Sequence, residues 1–145
     1  MILNVQRLVP GAKIPTRATT KSAGLDLYAC LTEPLCIPAG QTRSVPTGIA
    51  IALPGGTAGF VYARSGLGIK MGIAPANCVG VIDGDYRGEL IVGLYNHSDA
   101  DYTIEPGERI AQLVVAPVLC PDIVEAETLP GTARGKGGFG STGRM

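Results

Sequence analysis

The stretch Gly48-Ile-Ala-Ile-Ala-Leu-Pro-Gly-Gly-Thr-Ala-Gly-Phe-Val-Tyr-Ala63 decides the fold class. Bulky apolar residues alternate with alanine over positions 48–53. Pro54-Gly55-Gly56 stops the run, and a second alternation follows over 57–63. A period of two with a Pro/Gly break between the runs predicts two strands joined by a turn. Further out, positions 2–8, 25–31, 41–45, 90–96 and 109–119 read as strands, and 123–126 as a short peripheral one. Eight or so strands at this spacing predict an all-β sandwich, barrel or jelly roll. One short helix fits at 66–71, capped by Ser65 and ended by Gly72.

Composition narrows the class further. With 21 glycines and 11 prolines in 145 residues, an all-α fold is excluded. A hydrophobic content of 46% against 17% charged argues for a folded domain. Twelve basic and twelve acidic side chains leave a formal charge of zero, which speaks against a protein dedicated to nucleic acid or an anionic membrane surface. The core has to be aliphatic, since there is no Trp and only two Phe. The four cysteines (Cys30, Cys36, Cys78, Cys120) lack a C-x-x-C spacing, and there is one histidine, His97. They read as small apolar fillers of a reduced, cytoplasmic protein rather than a zinc site or disulfide framework. No apolar run approaches the ~20 residues of a spanning helix. Positions 131–145 differ from the rest, with six glycines, three basic residues and no acid. They read as a flexible tail that orders only against a ligand or another chain, leaving 1–130 as the β domain.

Several segments carry polar residues suited to chemistry. Arg64-Ser65-Gly66 follows a strand and opens the short helix, where orphan N–H groups, a guanidinium and a hydroxyl converge on an anion. A capped turn with a surface arginine is the alternative. Asn77 to Gly88 holds Asp83 and Asp85 in what reads as a hairpin-like turn. Asp83 follows Val81-Ile82, at the edge of a pocket, where a carboxylate orients and deprotonates water. Its alternative is a turn aspartate bonded to its own backbone. Asp26 stands inside an apolar strand and therefore needs an ion-pair partner or a metal–phosphate site. Gln112 lies on a strand where it faces a polar ligand.

Five segments in order resemble the motifs of the trimeric dUTPase family, over almost the whole chain. They are Ala-Gly-Leu-Asp-Leu (23–27), Arg-Ser-Gly-Leu (64–67), and Asn77 with Gly-Val-Ile-Asp-x-x-Tyr-Arg-Gly (80–88). Gly-Glu-Arg-Ile-Ala-Gln-Leu (107–113) and Arg-Gly-x-Gly-Gly-Phe-Gly-Ser-Thr-Gly (134–143) complete the set. The resemblance implies a jelly-roll-like β-clip subunit and a homotrimer with shared active sites. It also implies hydrolysis of dUTP to dUMP and pyrophosphate with Mg2+, lowering dUTP and supplying dUMP for thymidylate synthesis.

By the same resemblance Asp83 is the general base and Asp26 contacts Mg2+ through water. Arg64, Ser65, Gly66 and Gln112 hold the phosphates. Asn77, Gly80, Val81, Ile82, Asp83 and Ile91 surround the nucleoside, and Tyr86 packs beneath the sugar. From the tail, Phe139 stacks on uracil, with Gly140 beside it, while Arg134, Ser141 and Thr142 cover the phosphates. A dCTP deaminase of related fold is the nearest rival. The strand after Gly88, Glu89-Leu-Ile-Val-Gly-Leu-Tyr, lacks the pattern expected for that chemistry.

Overall fold

A computed structural model describes residues 1–138. The alternating runs become strands, and ten form in all among these residues. They are β1 (Asn4–Arg7), β2 (Leu25–Tyr28), β3 (Leu35–Ile37), β4 (Thr42–Ala52), β5 (Thr57–Tyr62), β6 (Ile73–Pro75), β7 (Gly80–Ile82), β8 (Glu89–Asn96), β9 (Tyr102–Ile104) and β10 (Arg109–Pro117). Every strand pairing is antiparallel. One sheet runs β1-β4-β8-β6, the second β2-β10-β5-β7, and β3-β9 forms a small third. The sheets stay open rather than closing into a barrel, so the jelly-roll, β-clip form of the expectation holds. No helix among the described residues is long and apolar enough to cross a membrane.

The core is aliphatic, as the composition requires. Leu27, Ile37, Val45, Ile49, Ile73, Leu94, Ile104, Ile110 and Leu113 are fully buried between the sheets. Each contributes about 1.5–3 kcal/mol over an exposed side chain. The runs at 41–45 and 48–53 are one strand, β4, kinked in the middle. Its register against β8 breaks between Pro46 and Ala50. At the kink Gly48 has φ +67°, and a Cβ there would stand 2.8 Å from Ala12 and Cys30, so only glycine fits. The Gly48 N–H donates to Glu89 Oε1 at 2.7 Å, and the Thr47 hydroxyl donates to the Leu90 carbonyl. The bulge thereby anchors the start of β8.

Four expectations are corrected. No strand forms at 123–126, because nothing among the described residues pairs with it. The short strands β3, β6, β7 and β9 were not anticipated. Ser65 does not cap the helical turn Gly66–Lys70. It already has helical dihedrals (φ −54°, ψ −42°) and its side chain makes no capping bond. Gly72 does end the segment, at φ +71°. Finally, Cys36, Cys78 and Cys120 are exposed rather than packed as fillers, and only Cys30 is partly covered.

Candidate active site

The sheet β2-β10-β5-β7 brings three distant segments together. Its register aligns Asp26 on β2 with Gln112 on β10, and Gln112 with Tyr62 at the end of β5. Two residues past Tyr62 stands Arg64. Asp26 is 8% exposed and does not stand alone there. Arg64 Nε donates to Asp26 Oδ1 at 2.7 Å, and Arg109 Nη1 donates to Oδ2 at 3.2 Å. The ion-pair reading of Asp26 is therefore the observed one. Two guanidiniums on one carboxylate leave the cluster with a surplus positive charge, which suits an anion in the adjoining cleft.

That cleft has a volume of about 370 Å3 and is lined by Ser22, Gly24, Asp26, Arg64, Ser65, Gly66 and Gln112, among others. The Gln112 amide donates to the Ala63 carbonyl at 2.9 Å. Its Oε1 occupies the space where a side chain on Gly24 would begin. Gly24 thus gives Gln112 its seat. Ser65, free of a capping role, presents an exposed hydroxyl to the same cleft.

A second cavity, of about 200 Å3, is lined by Val81, Ile82, Asp83, Tyr86, Glu89, Leu90 and Ile91. Asp83 sits at its rim, exposed. The Tyr86 N–H closes a turn on the Asp83 carbonyl at 3.1 Å, yet no hydrogen bond reaches the Asp83 carboxylate among the described residues. The alternative of an aspartate satisfied by its own turn is thereby disfavoured. The hairpin expectation is corrected: β7 lies in one sheet and β8 in the other, so residues 83–88 cross between sheets. Asn77 and Gly80 do not line this cavity. They lie at the opposite end of β7, where Cys78 adopts φ +64°.

The register also fixes how far apart the two cavities are. Ile82 pairs with Gly59, so Asp83 comes level with Ala58 near the start of β5, while Arg64 lies six residues further on, two past the strand's other end. At ~3.3 Å per residue that is roughly 20 Å. Within one chain, Asp83 and the arginine cleft do not meet.

The tail residue Arg134 joins neither cavity. Its Nε donates to the Gly137 carbonyl at 3.0 Å, inside its own exposed turn. Phe139, Gly140, Ser141 and Thr142 lie outside the described residues. Arg109 was not among the expected site residues. The one signal was its place beside Glu108 in 107–113. Glu108 is itself fixed by the Tyr102 hydroxyl at 2.7 Å and the Glu105 N–H at 2.9 Å. Burial first, and then the Glu108 carboxylate, push the Tyr102 phenol up from 10.0 to about 12.

A basic cleft suited to an anion, a separate apolar cavity with a carboxylate at its rim and an open β-clip scaffold together fit a β protein that acts on a nucleotide. Comparison with known proteins makes the class specific: the chain belongs to the dUTPase family, whose model matches residues 11–143. It is an enzyme that hydrolyses dUTP. The chain is 47% identical over 140 residues to the deoxyuridine 5'-triphosphate nucleotidohydrolase of Alcanivorax borkumensis, covering 96% of this chain and 93% of that one. It is 50% identical over 134 residues to the enzyme of the same description from a Psychrobacter species, covering 91% and 87%. Among solved structures, the dUTPase of Staphylococcus bacteriophage 80alpha with dUPNHPP superposes with a TM-score of 0.89 at 28% identity, over 98% of both chains. The dUTPase of phage phi11 of S. aureus, described with a coordinated structural Mg(II) ion, superposes with a TM-score of 0.81 at 24% identity, over 90% of this chain and 100% of that one.

Proposed function

We propose that dUTP hydrolysis proceeds at sites assembled from more than one copy of this chain, in a homotrimer. The supporting observation is the separation along β5: the water-orienting carboxylate and the phosphate cleft sit at opposite ends of one strand. Apolar surface points the same way. Leu119, Ile123, Val124 and Leu129 are almost fully exposed in the single chain, as surface awaiting a partner is.

In this reading the uracil and deoxyribose enter the cavity of Val81, Ile82, Tyr86 and Ile91 on one subunit. The triphosphate extends into the cleft of Arg64, Ser65, Gly66 and Gln112 on another. Asp83 accepts a proton from a water molecule as its oxygen attacks the α-phosphorus. The bond from that phosphorus to the bridging oxygen breaks, and pyrophosphate leaves with the electron pair. Arg64 stabilises the charge that develops on the phosphate oxygens.

The residues present fit Mg2+ of a particular kind. Asp26 is the carboxylate lining the phosphate cleft, and both of its oxygens already accept from arginines. No cluster of three or more metal-ligating side chains forms among the described residues. Such a site suits an ion that keeps its waters and takes phosphate oxygens, with Asp26 reaching it through water. When bound, Mg2+ would neutralise charge on the triphosphate.

Subunit mixing tests the shared site. Asp83→Asn and Arg64→Ala chains, each inactive alone, are unfolded and refolded together. Roughly a third of the sites in mixed trimers, about a quarter of all sites from a 1:1 mixture, would then draw both intact residues from different chains, restoring pyrophosphate release from dUTP with Mg2+. No recovery in assemblies confirmed to be mixed would mean that each site lies within one chain.

A further inference from the structure

We propose that Gly88 is a specificity-determining position for the nucleoside pocket, acting by fixing where the Tyr86 ring lies. The inference rests on Tyr86 packing against the sugar. The Tyr86 hydroxyl donates to the Glu89 carbonyl at 2.9 Å, so the ring folds back across the intervening residues. A Cβ at Gly88 would fall 2.7 Å from Cζ of that ring and 3.0 Å from Cε2, and closer still to the phenol oxygen. Real Cβ atoms do not approach so near, and the ring would have to move.

The backbone itself does not call for glycine here. Gly88 is absent from the residues with positive φ, so alanine meets no conformational penalty. It is exposed, so alanine disturbs no core packing either. What the missing side chain provides is room for one particular ring. Glu89 strengthens the argument, because its carboxylate is held by the Gly48 N–H at 2.7 Å. The carbonyl that receives the phenol therefore belongs to an anchored residue, and Tyr86 is clamped between a fixed acceptor and a bare Cα.

The clamp bears on selectivity through size. The cavity that Tyr86 lines with Val81, Ile82 and Ile91 is only about 200 Å3. Ribose differs from deoxyribose by one oxygen, and an apolar wall rejects that oxygen only if it cannot retreat. A ring displaced by about 1 Å alters both the fit to dUTP and the exclusion of UTP.

The experiment measures kcat and KM for dUTP and UTP in the wild type, Gly88→Ala, Tyr86→Ala and the double variant. Thermal melting of each verifies the fold. In Gly88→Ala the KM for dUTP should rise roughly tenfold, the scale of overpacking at one site, and the preference for dUTP over UTP should shrink. On the Tyr86→Ala background the same substitution should add nothing, because the ring it strikes is gone. Tyr86→Phe, which removes the nearest atom, should recover part of the loss in Gly88→Ala. Wild-type KM and preference in Gly88→Ala, or an equal loss on both backgrounds, would overturn the inference. A Tyr86→Ala enzyme that still prefers dUTP as strongly as wild type overturns the role of Tyr86 at the sugar, and the inference with it. Loss of preference in Tyr86→Ala but not in Gly88→Ala removes Gly88 alone.

Discussion

Asp83 and Asp26 carry the same side chain in opposite circumstances. Asp83 is exposed at the rim of an apolar cavity with no partner on its carboxylate among the described residues, and Asp26 is buried with an arginine on each oxygen. A group that takes a proton from water works best with its carboxylate unengaged, and of these two aspartates only Asp83 has no hydrogen-bond partner on it among the described residues. Asp83→Asn should therefore lower kcat by about 10²-fold or more, the scale of losing a general base, while leaving dUTP binding near wild type. Single-turnover kinetics beside a binding titration would check this, and near-normal turnover would remove Asp83 from the chemistry. Both aspartates stood out in the sequence, Asp83 after an apolar pair and Asp26 within an apolar run. The second arginine on Asp26 did not. Arg109 is 83 positions away, and the register shift between Arg109 and Ala111 that aligns it with β2 leaves no local trace.

At the level of elements, legibility followed length. β5, β8 and β10 were evident because six or more residues carry a visible period. The long β4 was seen as two pieces, because Pro46 and Gly48 look like a break when they form a bulge within a continuous strand. β3, β6, β7 and β9 have three residues each, too few for a period. Their partners decide them: Leu35–Ile37 is a strand because Tyr102–Ile104 lies beside it. The hairpin error at 83–88 has the same origin, since membership of a sheet is not a local property.

The first residue of β9 carries a testable ionisation. With its phenol raised from 10.0 to about 12, Tyr102 is held protonated by the fold. Its contribution to stability is complete below pH ~10 and is lost as pH rises toward ~12. Tyr102→Phe should be less stable than wild type at neutral pH. It should also lose less further stability between those pH values, as chemical denaturation at each pH would reveal. Parallel wild-type and variant profiles through that window would show that Tyr102 stays unlinked to folding.

On the scale of the whole molecule, the sheets end at Pro117 and the chain continues without strands to the last described residue. Residues 131–138 are exposed, and their hydrogen bonds stay within their own turns. Among the described residues, deleting the segment from 131 onward therefore removes no core contact. The shortened chain should keep its melting temperature and sedimentation behaviour, while dUTP hydrolysis falls by about 10²-fold, the scale of losing site closure. A truncated enzyme as active as the full one would show the tail to be dispensable. The five motif segments were legible together, through their order along the chain and their resemblance to one family, since most of them say little alone. Their division over two ends of a sheet was not, since it depends on which strand pairs with which.

That division along β5 reaches into genetics. If the two halves of each site come from separate chains, a damaged polypeptide spoils centres to which sound neighbours have already contributed. A cell making faulty and sound copies in equal number would keep about half of its centres where the lesion removes one half-site but only about a quarter where it removes both, so only the second kind of lesion would depart from simple gene dosage.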